Sequence, residues 1–279
     1  MKLISWNVGH RIDVAAQVAA LAGQKPDLVA LQEVGRGTEF RFRELFPSVG
    51  LGFVEDSFHG HPLNKQLAAR RYGEFIASRW PITKLSFEDN KMPWPERLLS
   101  VAVQSPVCEV ELHSAYVPPG SSNGWIKVET LEGIYRRLAR SCISARILCG
   151  DLNTPRQEWI DGTVVTWGES IRKNGQIIPC VPGSKKEQKD KAERSVLLGL
   201  KEFDLCDVYR LLHEYGAQEC SWFPVRKSGG VPRRYDHVFA SRSLHPLSCK
   251  YLRDFRDAGL SDHAPIEVVF APEQGLKLT

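Results

Sequence analysis

Short apolar segments, each bounded by turn-forming residues, recur along the chain and constrain its fold more than any other feature. They lie at 3–8, 27–32, 73–78, 98–103, 107–115, 146–149, 235–240 and 265–270, and segments of this length and composition are typical of β-strands. Between some of them, apolar residues repeat at spacings of three and four, as at Leu131, Ile134 and Leu138, which indicates amphipathic helices. Some of these strands follow one another directly, as in hairpins, and others are separated by a helix. Together the two arrangements predict mixed sheets in a layered α/β (α+β) fold.

Length and composition are those of a globular protein. Hydrophobic residues make up 42% of the 279 residues and charged residues 25%, both close to the usual averages. No apolar run approaches the roughly 18 residues of a membrane-spanning helix. The first residues lack the pattern of a signal peptide, which predicts a cytoplasmic protein. No linker is evident, so we expect a single domain over residues 1–279, with a monomer favoured.

Charge and cysteine content exclude several protein classes. The net charge of +4 rules out an acidic tail protein and a histone-like polycation. Seven cysteines occur without a Cys-x-x-Cys pair, so we expect reduced thiols and neither a disulfide framework nor a zinc site. The polar stretch at 179–191 has the composition of a mobile loop.

Polar side chains occur where several of the predicted strands begin or end. The strand at 27–31 runs into Gln32 and Glu33, and the strand at 146–149 runs into Asp151 and Asn153. Asn7, Asp236, Asp262 and His263 occupy similar positions. A buried strand that ends in a carboxylate brings that carboxylate to the rim of the sheet, so these clusters can converge on one site.

Oxygen ligands of the Asp, Glu and Asn type suit a hard cation such as Mg²⁺ or Mn²⁺ better than zinc. A cation held in this way polarises a phosphoryl oxygen and lowers the pKa of a bound water, as phosphodiester hydrolysis requires. A neighbouring carboxylate can then act as the base, and His263 can stabilise the transition state or position the nucleophile.

Each cluster also has a structural interpretation when it is taken alone. The Gly-Asp-Leu-Asn sequence at 150–153 is also typical of a β-turn, Glu33 of a solvated acid, and His237 of a hydrogen-bonded core histidine. The joint occurrence of the clusters favours the catalytic interpretation.

Six ordered motifs resemble those of the endonuclease/exonuclease/phosphatase family, which has the deoxyribonuclease I-like fold. They are Ser-Trp-Asn-Val at 5–8, Leu-Gln-Glu at 31–33, Ala-Tyr-Val-Pro at 115–118, Gly-Asp-Leu-Asn at 150–153, Arg-Tyr-Asp at 234–236 and Ser-Asp-His-Ala-Pro at 261–265. Within the family, the segment 221–241 is most similar to exonuclease III and its abasic-site endonuclease relatives, which act in DNA repair. The resemblance implies a four-layer sandwich of two mixed β-sheets flanked by helices, with the active site at one edge of the sheets.

The resemblance also implies a role for each site residue. Glu33 would be the principal metal ligand, with Asn7 as ligand or hydrogen-bond partner and Asp262 as a further metal contact. Asp151 and Asn153 would orient or deprotonate the attacking water. His263, hydrogen-bonded to Asp236, would contact the scissile phosphate. Tyr116 would touch the phosphate or assist the leaving oxygen.

The chain departs from the abasic-site endonuclease pattern at several positions. Gly9 stands where Asp or Asn usually follows the first motif. Val34 stands where Thr is usual, and Pro119 stands where Asn or Gln is usual. His113 is similar in position to a second catalytic histidine of deoxyribonuclease I-type members, and a strand-end structural role is the alternative.

Basic and aromatic residues near 222–234 suggest a phosphate-rich substrate. Arg226 and Arg234 belong to a basic stretch that can bind a DNA backbone, although solvated surface charges would show the same pattern. Trp222 and Phe223 can line a pocket for a base or an abasic sugar, or belong to the core.

The sequence therefore predicts a Mg²⁺- or Mn²⁺-dependent phosphodiesterase that acts on DNA, as an abasic-site endonuclease or a 3′-exonuclease. The main alternative is hydrolysis of a small or lipid-linked phosphate ester. A third hypothesis is a nucleic-acid-binding module without catalysis, against which the full set of acidic residues and His263 argues.

Overall fold

The computed structural model describes residues 1–58, 71–86, 91–106, 108–224 and 230–271. Its strands are β1 (Lys2–Asn7), β2 (Leu28–Gly35), β3 (Phe53–Asp56), β4 (Tyr72–Ser78), β5 (Ile82–Lys84), β6 (Leu98–Gln104), β7 (Glu109–Tyr116), β8 (Ala145–Asp151), β9 (Gln157–Glu158), β10 (Val164–Val165), β11 (Ser170–Ile171), β12 (Ile177–Ile178), β13 (Cys206–Asp207), β14 (Asp236–Ala240), β15 (Pro246–Tyr251) and β16 (Ile266–Phe270). Its α-helices are α1 (Val14–Gly23), α2 (Glu39–Leu45), α3 (Gly120–Asn123), α4 (Ile126–Leu138), α5 (Lys185–Leu197), α6 (Val208–His213) and α7 (Arg253–Asp257). Short 3₁₀ helices occupy Phe46–Val49, Pro95–Arg97, Gly199–Phe203 and Arg242–Leu244.

Two six-stranded mixed sheets form the centre of the fold. The first has the strand order β15-β16-β1-β2-β4-β3 and the second the order β13-β14-β8-β7-β6-β5. In the first sheet β1 and β2 run parallel, in the second β7 and β8 run parallel, and the other neighbours are antiparallel. Because parallel strands end at the same edge, each sheet brings two strand ends together there.

Both faces of each sheet are covered, which explains why the strands are apolar runs without clear alternation. In β1, Leu3 lies in the layer between the sheets, whereas Ile4 and Trp6 pack with the helices on the outer face. Helices α1 and α2 cover the first sheet, and α4 and α5 cover the second. Each side chain buried in this way contributes roughly 1.5–3 kcal/mol. The predicted four-layer sandwich is confirmed.

The stretch at 179–191 differs from the predicted loop over its second half, because α5 begins at Lys185. The Ser184 hydroxyl caps this helix by accepting a hydrogen bond from the Glu187 backbone N–H at 3.2 Å. Ala192 and Val196 then pack against the second sheet. Burial of this one apolar face holds a helix whose other residues are mostly charged.

No helix in the described ranges is long and apolar enough to cross a membrane. The seven cysteines are all free thiols.

Candidate active site

Most of the predicted site residues meet at one edge of the sandwich, where strands of both sheets end. In the second sheet Tyr116 pairs with Asp151, and Asp151 with Asp236, so three neighbouring strands place these residues side by side. In the first sheet Asn7 ends β1 and Glu33 lies near the end of the adjacent β2. The parallel pairs β1–β2 and β7–β8 are therefore what bring the motifs together.

Unusual backbone conformations set the direction of the Glu33 and Asn153 side chains. The pairing of β2 with β4 is interrupted between Leu31 and Val34, and Glu33 there has a φ of 55°. Asn153 has a φ of 50°. Positive φ is uncommon outside glycine and is concentrated at functional sites. The interruption turns Glu33 out of the regular alternation of the strand.

Gly150 allows β7 and β8 to approach closely beside the site. A Cβ atom at this position would lie 1.9 Å from the backbone oxygen of Ala115, and the φ of Gly150 is 137°. Only glycine can occupy such a position. The Gly of the Gly-Asp-Leu-Asn motif therefore sets the position of Asp151, which follows it.

Asn7 connects the two sheets through its side-chain amide. Its Nδ2 donates to Glu33 Oε1 at 3.0 Å and to Asp151 Oδ2 at 2.9 Å. Its Oδ1 accepts a hydrogen bond from the Gly9 backbone N–H at 2.9 Å. One amide thus fixes the spacing of two carboxylates that belong to different sheets.

Glu33 is held as a carboxylate. Burial opposes its ionisation, but hydrogen bonds from His10, Asn7 and Tyr116 lower the pKa of Glu33 to about 2. His10 Nδ1 lies 3.2 Å from Glu33 Oε2, and this contact raises the pKa of His10. Burial and the charge of Glu33 raise the pKa of Tyr116, so Tyr116 stays protonated as a donor.

His263 lies between two carboxylates. Its Nδ1 donates to Asp236 Oδ2 at 2.7 Å, and its Nε2 is 3.8 Å from Asp151 Oδ2. Burial disfavours the charged ring, yet Asp236 and Asp151 together raise the pKa of His263 to about 10. The ring is therefore an imidazolium at neutral pH.

Asp151 is poised to exchange a proton near neutral pH. Burial raises its pKa to about 7, opposed by the charge of His263 and reinforced by that of Asp236. Asn153 orients the carboxylate, since its backbone N–H donates to Asp151 Oδ1 at 2.9 Å and its Nδ2 to Asp151 Oδ2 at 3.2 Å. A group with a pKa near the working pH is suited to general base catalysis.

The donor set around Glu33 fits a hard divalent cation. The carboxylates of Glu33 and Asp262 both raise the pKa of His10, which shows that they act on the same small region. Among the described residues, the buried Asp236 Oδ1 has no hydrogen-bond partner. Asp151, Asp236 and His263 also have ligand-type atoms within 4.8 Å of one another, but this group includes an imidazole nitrogen, and His263 Nδ1 is already hydrogen-bonded to Asp236. The oxygen donors near Glu33 are the better match.

Arg234 has other surroundings than expected. Arg234 is 5% exposed, and its guanidinium is bound by Glu158 and Asp207 at 2.7 Å each. This internal ion-pair network replaces the expected substrate contact with a structural role. Arg226 lies outside the described residues.

His113 does not join the site. It is fully buried, its Nδ1 forms a hydrogen bond with Ser100 Oγ at 2.8 Å, and Glu111 lies on its other side. Because side chains alternate along β7, His113 and the site residue Tyr116 lie on opposite faces of the second sheet. The structure favours the strand-end structural role over the catalytic one.

Trp222 and Phe223, which follow one another in the chain, have different surroundings. Trp222 Nε1 donates to Asp262 Oδ2 at 3.2 Å, whereas Phe223 packs under the Arg256 guanidinium, 3.8 Å from its ring centroid. Only Trp222 lines the cleft described below. His237 has the structural role foreseen for it, since its Nε2 donates to the Thr154 carbonyl at 2.8 Å.

A cleft of about 560 Å³ opens beside Asn153. It is lined by Pro119, Gly120, Ser121, Gly124, Lys127, Val128, Asn153, Trp167, Lys189, Glu193, Trp222, Gly230, Val231, Arg233 and Tyr235. Sequence reasoning missed Trp167 and His10. A tryptophan in a turn-rich segment and a histidine beside a glycine carry little signal without the structure.

Comparisons with known proteins agree with this geometry. The profile of the Endonuclease/Exonuclease/phosphatase family matches residues 4–263. An AP endonuclease from Archaeoglobus fulgidus has a similar structure, with a TM-score of 0.72 and 22% identity over 98% of this chain and 100% of that one. A 3′-5′ exonuclease (NExo) from Neisseria meningitidis has a TM-score of 0.65 and 20% identity over the same shares. A 3′ phosphatase NExo from Neisseria, bound to product DNA hairpin, has a TM-score of 0.66 and 19% identity, also over 98% and 100%. No curated protein sequence matches the chain.

Proposed function

The chain belongs to the endonuclease/exonuclease/phosphatase family, and from this premise we propose that it is a Mg²⁺- or Mn²⁺-dependent phosphodiesterase acting on DNA. Its reaction would be that of an abasic-site endonuclease or a 3′-exonuclease. Members of the family hydrolyse phosphodiester bonds. The observation that carries the proposal is the Asn7 amide, which holds Glu33 and Asp151 on either side of it, within one buried cluster that includes His263 and Asp236.

Each residue of the cluster has one task in the proposed reaction. Asp151 accepts the proton of the attacking water, which its pKa of about 7 allows; a positioned base of this kind typically contributes about 10²- to 10⁴-fold. Asn7 and Asn153 fix the orientation of its carboxylate. Tyr116 is a protonated donor that can bind a phosphate oxygen.

His263 supplies fixed positive charge at the phosphate. Its Nδ1 is held by Asp236, so its Nε2 proton points toward Asp151 and the space where the phosphate binds. A preorganised cationic donor stabilises the charge that develops in the transition state.

Glu33 and Asp262 would hold the divalent cation, with Asn7 as the hydrogen-bond partner of Glu33. The cation would polarise a phosphoryl oxygen and offset its charge. The protein's own residues would bind the phosphate, orient the attacking water and exchange protons as described above.

A second candidate is hydrolysis of a small or lipid-linked phosphate ester. The cleft beside Asn153 favours it, because about 560 Å³ is within the range of small-molecule sites. The basic side chains of that cleft suit a phosphate in either case.

The test uses oligonucleotide duplexes that are intact, carry a tetrahydrofuran abasic site, or end in a 3′-phosphate, each in Mg²⁺, in Mn²⁺ and in EDTA. We expect cleavage or phosphate release only with metal, and its loss in His263→Ala. Glu202→Gln, at an exposed position, is the matched control. No cleavage of any duplex at micromolar enzyme contradicts the proposal, and release of choline phosphate or inositol phosphate from the matching substrates would favour the second candidate.

A further inference from the structure

Trp167 presents a fixed indole to the cleft beside the site. The residue is 41% exposed, yet its backbone N–H donates to Glu193 Oε2 at 2.9 Å and its indole N–H to the Asn153 carbonyl at 3.2 Å. The backbone N–H of Asn153 is in turn bound to Asp151. The ring is therefore linked to the proposed catalytic base through a single residue, and its position is set before any ligand binds.

Three cationic groups surround this indole. Lys127 Nζ lies 5.7 Å from its centroid, Arg156 Cζ 5.7 Å and Arg233 Cζ 5.5 Å. The charge of Lys127 is compensated by Glu193 at 3.1 Å.

The two arginines differ from Lys127 in their partners. Arg156 donates to the Glu169 carbonyl at 3.0 Å, and Arg233 donates to the Arg156 carbonyl. Within the described ranges neither guanidinium forms an ion pair with a carboxylate. Of the two, only Arg233 lines the cleft, so its positive charge is available to an anionic ligand that enters there.

A partly exposed indole with the uncompensated guanidinium of Arg233 beside it matches the chemistry of an unpaired nucleotide. The base has a π-face that stacks on an indole, and its phosphates accept hydrogen bonds from arginine. A cleft of about 560 Å³ is large enough for a ligand of this class.

We propose that Trp167 and Arg233 form a nucleotide-binding subsite next to the scissile phosphate. An unpaired base of the DNA strand stacks on Trp167, and Arg233 binds its phosphate. The inference rests on the proposed function and narrows its substrate to strands that carry an unpaired, base-bearing nucleotide at the cleavage position. A base-free sugar lacks the π-face and gains nothing from the indole.

The test measures binding in EDTA, where metal-dependent cleavage is absent, by fluorescence anisotropy of labelled duplexes. One duplex has an unpaired 3′-terminal nucleotide, and the other has a tetrahydrofuran residue at the same place. We expect Trp167→Ala to weaken binding of the base-bearing duplex by about 5- to 150-fold and to change binding of the base-free duplex less than about twofold. Trp167→Phe should restore most of the affinity, because it restores an aromatic face.

Arg233 gives a different signature. Arg233→Gln should weaken binding of both duplexes equally and reduce the dependence of log Kd on log salt concentration by about one unit. Ile160→Ala and Arg172→Gln are the matched controls, since both residues lie in the same segment, are exposed and do not line the cleft. Both controls should bind like the wild type.

Two outcomes overturn the subsite: Trp167→Ala weakens both duplexes equally, or it weakens neither. Cleavage by the wild type in Mg²⁺ tests the proposed function separately. A wild type that discriminates the duplexes in binding but cuts no DNA would overturn the proposed function and support the subsite. If the wild type cuts DNA and Trp167→Ala cuts it with an unchanged KM, the proposed function is supported and the subsite is overturned.

Discussion

Replacing Asp236 by Asn tests the proposed site directly, because it removes one charge and nearly keeps the shape of the side chain. Asp236 is fully buried, and its Oδ2 accepts the His263 Nδ1 proton at 2.7 Å. An amide cannot supply the negative charge that, against burial, helps to raise the pKa of His263 to about 10. We expect the pKa of His263 to fall and the ring to lose its charge at neutral pH.

The loss of rate follows from the loss of one charged, oriented donor. Removing such a donor from a transition state typically lowers kcat by about 10²- to 10³-fold, or about 2.7–4 kcal/mol. We expect the kcat of Asp236→Asn to fall by that amount and KM to change less, because the main effect is on the developing charge.

The pH profile should also move. His263 acts as the imidazolium, so activity is lost as the pH rises through its pKa, and a lower pKa moves this alkaline limb to lower pH. Asp151 acts as the carboxylate, with a pKa of about 7 that the charge of Asp236 helps to raise. Loss of that charge lowers the pKa of Asp151, but loss of the His263 charge, which has the larger influence, raises it; the alkaline limb therefore moves to lower pH while the acid limb does not follow it, and the pH range of activity narrows.

The assay is kcat for oligonucleotide cleavage across pH 5–10, with thermal unfolding to verify folding. Asp257→Asn, at an exposed position, is the control and should behave like the wild type. A folded Asp236→Asn enzyme with kcat within about threefold of the wild type and an unshifted profile would refute the role given to the Asp236–His263 pair.

Three further predictions concern the metal, the ion-pair network and the backbone. Glu33→Gln should weaken Mn²⁺ binding, measured by calorimetry, by at least about tenfold. Glu158→Gln should lower the free energy of unfolding in urea by about 3–5 kcal/mol, because it removes a partner of the buried Arg234. Since ion pairs lower the pKa of Glu158 to about 2 against burial, its contribution is present above the unfolded pKa near 4.5 and is lost as the pH falls toward 2. Gly150→Ala should destabilise the fold by several kcal/mol and abolish activity, because its Cβ would lie 1.9 Å from the Ala115 oxygen.

Each of these three predictions has an outcome that would contradict it, and control variants accompany them. Glu202→Gln should keep Mn²⁺ affinity and stability unchanged, and Gly52→Ala, whose Cβ would have nothing within 4 Å, should unfold like the wild type. Undiminished Mn²⁺ affinity in Glu33→Gln would place the metal elsewhere. Equal stability of Glu158→Gln and the wild type at neutral pH would show that the network is not needed for Arg234, and a stable Gly150→Ala would show that the strands can separate.

The apolar strand segments predicted mixed sheets in a layered fold, the family resemblance of the motifs implied the four-layer sandwich, and the acids at strand ends predicted the site. The same reasoning was less successful where side-chain direction mattered. Arg234 belongs to a basic stretch, but its guanidinium lies inside an ion-pair network with Glu158 and Asp207. The carboxylates come from distant positions in the chain, so composition of the stretch could not reveal the pairing.

Helix α5 shows that local composition is also a limited guide to secondary structure. Residues 185–191 are almost all charged or polar, and their composition is typical of a loop. The apolar residues that hold the helix, such as Val196, lie just beyond them and pack on the second sheet. Tertiary packing therefore decided the conformation of this segment.

Sequence alone determined the layers of the fold and the chemical groups at the site, because hydrophobic patterning and residue type are local properties. Tertiary structure decided which groups meet. The parallel pairs β1–β2 and β7–β8 bring Asn7 between Glu33 and Asp151, residues that are far apart in the chain. It also placed the Trp167 indole against the Asn153 carbonyl. Distances and proton affinities depend on burial and on neighbours from other strands, and these exist only in the folded chain.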